Sequence, residues 1–143
     1  MTLSNSAALA NLARIGKLKA EPPDARERAG LLRSAAVRLQ DARHPILSLE
    51  SRFDLAYNAA HAAALSALRA HGYRSENRYL VFQCLEHTLG YTPQQWLLLD
   101  QAHKKRNLAE YEGDLDVTQG FVEELIDSAA ALIAAAEALQ AAP

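Results

Sequence analysis

The stretch T-P-Q-Q-W-L-L-L-D-Q-A-H-K-K-R-N-L-A-E-Y-E-G, Thr92 to Gly113, encodes a complete helix. Thr92 is a good N-cap, Pro93 fits the first helical position, and Gln95 completes a capping box. Gly113 is a natural stop. At about 100° per residue, Leu98, Leu99, Ala102 and Ala109 share one arc, the arc that meets a core. Arg106 falls inside that arc, and Glu110, His103 and Asn107 lie along its edge. A guanidinium turned toward an apolar seam is costly unless it is paired or looks into a wet cleft. Two readings are open. Arg106 either pairs with a carboxylate or snorkels to water along its stem, or it lines a functional cleft with Asn107, His103, Glu110 and Tyr111.

Upstream of this helix the same signals recur. Ser4 or Ser6 can cap a short helix that stops at Gly16, and Lys17 to Pro23 reads as a linker. A long helix opens at Asp24, with Glu27 placed for a capping box. Its buried stripe is Leu31, Leu32, Ala35, Val37 and Leu39, and His44-Pro45 ends it. Ser48 or Ser51 opens the next helix, which runs to His71-Gly72, with Phe53, Tyr57, Ala60, Ala64 and Leu68 on one face. Asp54, Asn58 and His61 share another arc, either solvated or facing the polar cluster around Arg106. Ser75 caps a third long helix, Glu76 to Leu89, stopped by Gly90.

Downstream, Asp116 with Gln119, or Thr118 alone, caps a last helix. Its long apolar stripe includes Phe121, Val122, Leu125, Ile126, Ala129, Leu132, Ile133, Ala136 and Leu139. The Ala-rich end, Ala129 to Ala142, keeps that helical stripe. No strand-like alternation and no glycine-rich phosphate loop is legible. The sequence thus predicts an all-α fold: an up-and-down antiparallel bundle of four to five long helices with a short N-terminal helix. Residues 1–23 form the short helix and linker, and residues 24–143 the bundle domain.

Composition agrees. The chain has 143 residues, half of them hydrophobic, few aromatic, with a net charge of −2. That suffices for one domain with a real core and excludes a general polyanion binder acting through its overall field. Charge is uneven, with twelve Lys/Arg against seven Asp/Glu through Arg78 and three against ten from Tyr79 onward. Such a split suits solvated helix faces, head-to-tail association or a basic patch for a phosphate backbone. The single Cys84 excludes an internal disulfide and fits a reducing compartment. No apolar run is long enough to span a bilayer, and the first residues lack the pattern of a signal peptide, so a cytoplasmic protein is expected. Cys84 and His87 sit at i, i+3. A zinc site needs three or four ligands, so no metal is assigned and a packed thiol is the default.

The order of these elements resembles the HEPN superfamily, small all-helical bundles that commonly dimerise. The likeness lies in F-D-L-A-Y-N-A-A-H-A-A-A-L, Phe53 to Leu65, and in the helix that ends R-N-L-A-E-Y, Arg106 to Tyr111. The family signature is an arginine, a polar residue that is often asparagine, and a histidine after four to six intervening residues. Arg106 and Asn107 match its start, and Tyr111 stands where the histidine is expected. The resemblance implies a homodimer with RNA or a nucleotide as ligand. It also implies, as partner, a cognate nucleotidyltransferase or antitoxin of a toxin–antitoxin pair. The tyrosine that such pairs carry two residues beyond the histidine is replaced here by Gly113.

Three functions follow as expectations. The first is a binding module with a degenerate active site, in which Arg106 grips a phosphate with a bidentate fork and Asn107 and Tyr111 contact base or sugar. Glu110, Asn58 and His61 would line the same ligand site. The second is a metal-independent, cofactor-free ribonuclease with Arg106 and His103 as the catalytic pair. The third is a purely structural partner, in which Arg106–Glu110 is an intrahelical pair and Tyr111 an interface anchor.

Overall fold

The structure, a computed structural model, describes residues 2–139, with side chains from residue 7 onward. Its elements are α1 (Thr2–Arg14), β1 (Lys19–Ala20), α2 (Ala25–Ala42), α3 (Leu49–Ala70), β2 (Tyr73–Arg74), α4 (Arg78–Gln83), α5 (Leu85–Thr88), α6 (Pro93–Glu112) and α7 (Gln119–Ala138). The all-α bundle is therefore as expected, with four long helices, α2, α3, α6 and α7. The caps proposed at Ser4 or Ser6, and the last residues of the Ala-rich end, lie outside the described side chains.

Helix ends explain the boundaries. Thr92 accepts from Gln95 N while the Gln95 side chain accepts from Thr92 N, a full capping box, and Gly113 closes α6 at φ +75°. Ser48 caps α3 and Thr118 caps α7, each accepting the third amide onward. A cap of this kind contributes about 1 kcal/mol. Asp24 caps α2 by accepting from Arg26 N and Glu27 N. The Glu27 side chain does not complete that box, because it is drawn to two arginines instead.

Long-range bonds set the directions. Arg52 Nε donates to Ala42 O at 2.7 Å, tying the start of α3 to the end of α2. Arg28 donates to Leu139 O at 2.9 Å, tying the start of α2 to the end of α7. Glu50 and Phe53, at the start of α3, line one pocket with Ala109 and Glu110, at the end of α6. So α2 runs against both α3 and α7, and α6 runs against α3. Two helix C-termini thereby receive a guanidinium, which satisfies free carbonyls and suits the negative end of the dipole.

Helix α3 is the centre. Phe53, Tyr57, Ala60, Ala64 and Leu68 are all buried, and so are Ala56, Ala59, Ala62, Ala63 and Ala67 from its other sides. Its apolar residues thus extend over most of its circumference, as suits a central helix, and its alanines let neighbours approach closely. From α7, Val122, Leu125, Leu132 and Ala136 complete the core.

Four local expectations are corrected. Val37 is 57% exposed and outside the α2 stripe; it sits two residues after Ala35, on a different side of the wheel. The third helix is not continuous from Glu76 to Leu89. Asn77, not Ser75, caps α4 by accepting from Leu80 N, and the helix is interrupted at Cys84 before the short α5. The linker is not plain loop, because Lys19–Ala20 pairs antiparallel with Tyr73–Arg74. That ladder is held by Arg69, only 1% exposed, which donates to Glu27 Oε1 at 2.6 Å and to the carbonyls of Glu21 and Pro22 at 2.9 and 2.7 Å. Arg74 bonds both Glu21 and Glu27. A buried guanidinium is tolerable only when its donors are used in this way.

Candidate functional site

The polar residues singled out on α6 meet α3 and α4 around one ring, Tyr57. Its burial follows from its place on the core face of α3, but its hydroxyl reaches the α6 seam. The guanidinium of Arg106 lies 5.2 Å from the Tyr57 ring centre, and that of Arg78 lies 5.7 Å from it. Both are cation–π distances. Tyr57 Oη and His103 Nδ1 are 2.9 Å apart, and Asn107 Nδ2 is 3.1 Å from His103 Nε2. Tyr57 and Asn107 thus engage the two ring nitrogens of His103 from opposite sides, with donor and acceptor roles set by its tautomer. Partial burial, then the charge of Arg106, lowers its pKa. Burial outweighs the two arginines at Tyr57 and raises its pKa.

The arc Asp54–Asn58–His61 divides. Asn58 Oδ1 accepts from Arg78 at 2.8 Å, and its amide donates to Asp54 O. His61 sets its ring edge-on to Phe82 at 6.0 Å, and its Nε2 is buried without a hydrogen-bond partner. Burial first, then Arg78 and Arg106, pushes His61 down to about 4. Three residues expected in the site, Asn58, His61 and His103, therefore share the field of two guanidiniums. Asp54 instead faces a shallow pocket of about 210 Å³ with Glu50, Arg106 and Glu110, floored by Phe53 and Ala109.

Arg106 is neither buried nor free. Its side chain is 28% exposed and pairs with Glu110 Oε1 at 3.3 Å, one turn on. The carboxylates of Glu50, Asp54 and Glu110 outnumber it in the pocket on that side, so an anion is repelled there. On the Tyr57 side the balance reverses. Arg78 bonds a neutral amide, and among the described residues no carboxylate comes within salt-bridge distance of it. It is also the first residue of α4, where a cation gains nothing from the helix dipole. Tyr111 is 94% exposed and takes no part in the cluster.

Sequence reading missed Arg78. The signal available was a cation in the first turn of a helix, directly after the cap residue Asn77. It also missed the aromatic edge of the seam, where Tyr79 packs 5.1 Å from His103 and 6.0 Å from Trp96 between ring centres.

Cys84 is buried, which pushes its thiol up to about 11. His87 lies partly exposed beside Glu86. Among the described residues no group of three His, Cys, Asp or Glu is placed to hold a metal ion, and no helix is long and apolar enough to cross a membrane. Comparison with protein-family models, curated proteins and solved structures finds no match for this chain.

Proposed function

We propose that this chain is a HEPN-like helical module that binds a phosphate-bearing ligand, a nucleotide or RNA, in the seam between α3, α4 and α6, and does not cleave it. The observation that carries this reading is Arg78. It is a partly buried cation without a carboxylate partner among the described residues, and it shares the Tyr57 ring with Arg106. Two guanidiniums around one ring leave an excess of positive charge that a phosphate would neutralise by forked hydrogen bonds. Asn107 sits at the rim for a base or sugar contact. Binding without cleavage is the reading taken because Tyr111 stands where the resemblance expects a histidine, and His103 is already engaged by Tyr57 and Asn107. Tyr111 stands too far out in solvent to replace it.

The test is RNA binding and cleavage in EDTA at two salt concentrations, with Arg106→Ala beside the parent. Expected are salt-sensitive binding, weakening in the variant, and an intact RNA. RNA cleaved by the parent alone would overturn the non-cleaving reading, and a folded parent that binds neither RNA nor nucleotide would overturn the ligand class.

A second reading has its own support. The Arg106–Glu110 pair is what a structural role for Arg106 requires. Leu97, Leu108 and Tyr111 are exposed and fall within about 60° of one another on the α6 wheel. That stripe suits a homodimer or a toxin–antitoxin partner in the reducing cell interior. Sedimentation of the parent beside Tyr111→Asp distinguishes it: a dimer dissolved by that one change would favour association through α6.

A further inference from the structure

The seam does more than concentrate positive charge. Running away from Arg106, it continues as a row of rings: Tyr57, His103, Tyr79 and Trp96, each within 6.4 Å of the next between centres. Tyr79, Trp96 and His103 are only partly buried, so part of each ring reaches solvent. From Trp96 to Arg106 the α6 backbone rises about 15 Å, the length of a few nucleotides. Cations flank the row, with Arg78 and Arg106 toward one end and the exposed Lys104 beside it. The Asp100 carboxylate beside Tyr79 is answered by Lys104 at 3.1 Å, and it holds the Tyr79 hydroxyl above its usual pKa.

We infer that the α4–α6 seam is a stacking platform for a single-stranded nucleic acid, with Trp96 and Tyr79 receiving bases while Arg78 and Arg106, at the Tyr57 end of the row, hold the adjoining phosphate. This deepens the proposed ligand class and rests on it. The physical ground is that a row of rings and two guanidiniums adjoin in one seam. A duplex hides its base faces and needs only a basic surface, whereas a single strand offers both faces and phosphates, and binding sites for it combine rings with cations. Stacking on rings tolerates any base, so affinity varies little with sequence. The arginines contribute the part that salt weakens.

Trp96 is the only tryptophan in the chain, so its fluorescence reports directly on this edge. The experiment titrates the full chain with a short single-stranded RNA, with the same sequence as a duplex, and with inorganic phosphate. Anisotropy of a labelled strand is measured in parallel for the parent, Trp96→Leu, Tyr79→Leu and Arg78→Ala. Expected are saturable quenching by the single strand and much less by the duplex. By anisotropy, Trp96→Leu and Tyr79→Leu should each weaken the single strand about tenfold, the scale of one lost stacking contact. Equal binding of both strands, lost in Arg78→Ala and accompanied by no quenching, would overturn the platform and leave the phosphate seam standing. No binding of any probe by the folded parent would overturn both. If Tyr79→Leu fails to fold, Trp96→Leu decides alone, since Trp96 lies at the outer edge of the row.

Discussion

Protonating His61 should destabilise this protein well above the range where carboxylates titrate. Burial and the two arginines hold its pKa at about 4 in the folded chain, against 6.5 when it is free. The folded pKa of this base is depressed, so between those values the unfolded chain binds the extra proton and the folded chain does not. Stability is complete above about pH 6.5 and is lost as pH falls toward 4. The loss amounts to about 2 kcal/mol by pH 5 and about 3 kcal/mol by pH 4 at 1.36 kcal/mol per unit. Part of the ring meets water, so these are ceilings. His103, also depressed, adds a smaller loss of the same sign. Glu27, whose pKa is lowered by Arg69 and Arg74, contributes only below its free value of 4.5, so pH 7 to 5 isolates the histidines. The assay is urea unfolding across that range for the parent and His61→Leu, with the His61 ring titrated by NMR. The variant should flatten most of the slope. A ring that titrates near 6.5, or a parent equally stable at pH 7 and 5, would refute the reasoning.

Two further outcomes follow from single contacts. Arg69→Ala removes the donors that satisfy Glu27 and the carbonyls of Glu21 and Pro22. Breaking such a buried pair typically costs 3–5 kcal/mol, and because Glu21 and Glu27 keep Arg74, about 3 kcal/mol is expected by denaturant midpoint; a loss under 1 kcal/mol would contradict the network's role. Cys84 should resist a thiol reagent in the native protein and react at the rate of global or local opening, because it is buried with its pKa near 11; fast labelling at neutral pH would contradict that placement.

The elements that declared themselves in the sequence are those fixed by local chemistry. Thr92, Pro93, Gln95 and Gly113 specify both ends of α6 without reference to anything else, and the five-residue face from Phe53 to Leu68 needs only a helical period. What stayed hidden depends on partners far along the chain. Glu27 looks like half of a capping box until Arg69 and Arg74, more than forty residues on, claim its carboxylate. Ser75 reads as the cap of the third helix, yet α4 opens two residues later, capped by Asn77. The wheel placed Arg106 in the core arc, yet its long stem lets the charge escape to the edge, where Glu110 meets it. Within the site, His103, Asn107 and Arg106 were legible as one face of one helix. Arg78 was not, because its significance is the absence of a neighbouring carboxylate, a property of three helices at once.

The most direct measurement compares two quantities for Arg78→Ala: affinity for a short RNA at low salt and thermal stability. Affinity should fall about tenfold, the scale of one charge-assisted contact, with Tm shifted by no more than a few degrees, since the native partner lost is a neutral amide. A large fall in Tm with unchanged RNA affinity would make Arg78 a structural residue and contradict the claim that this seam exists to hold a phosphate.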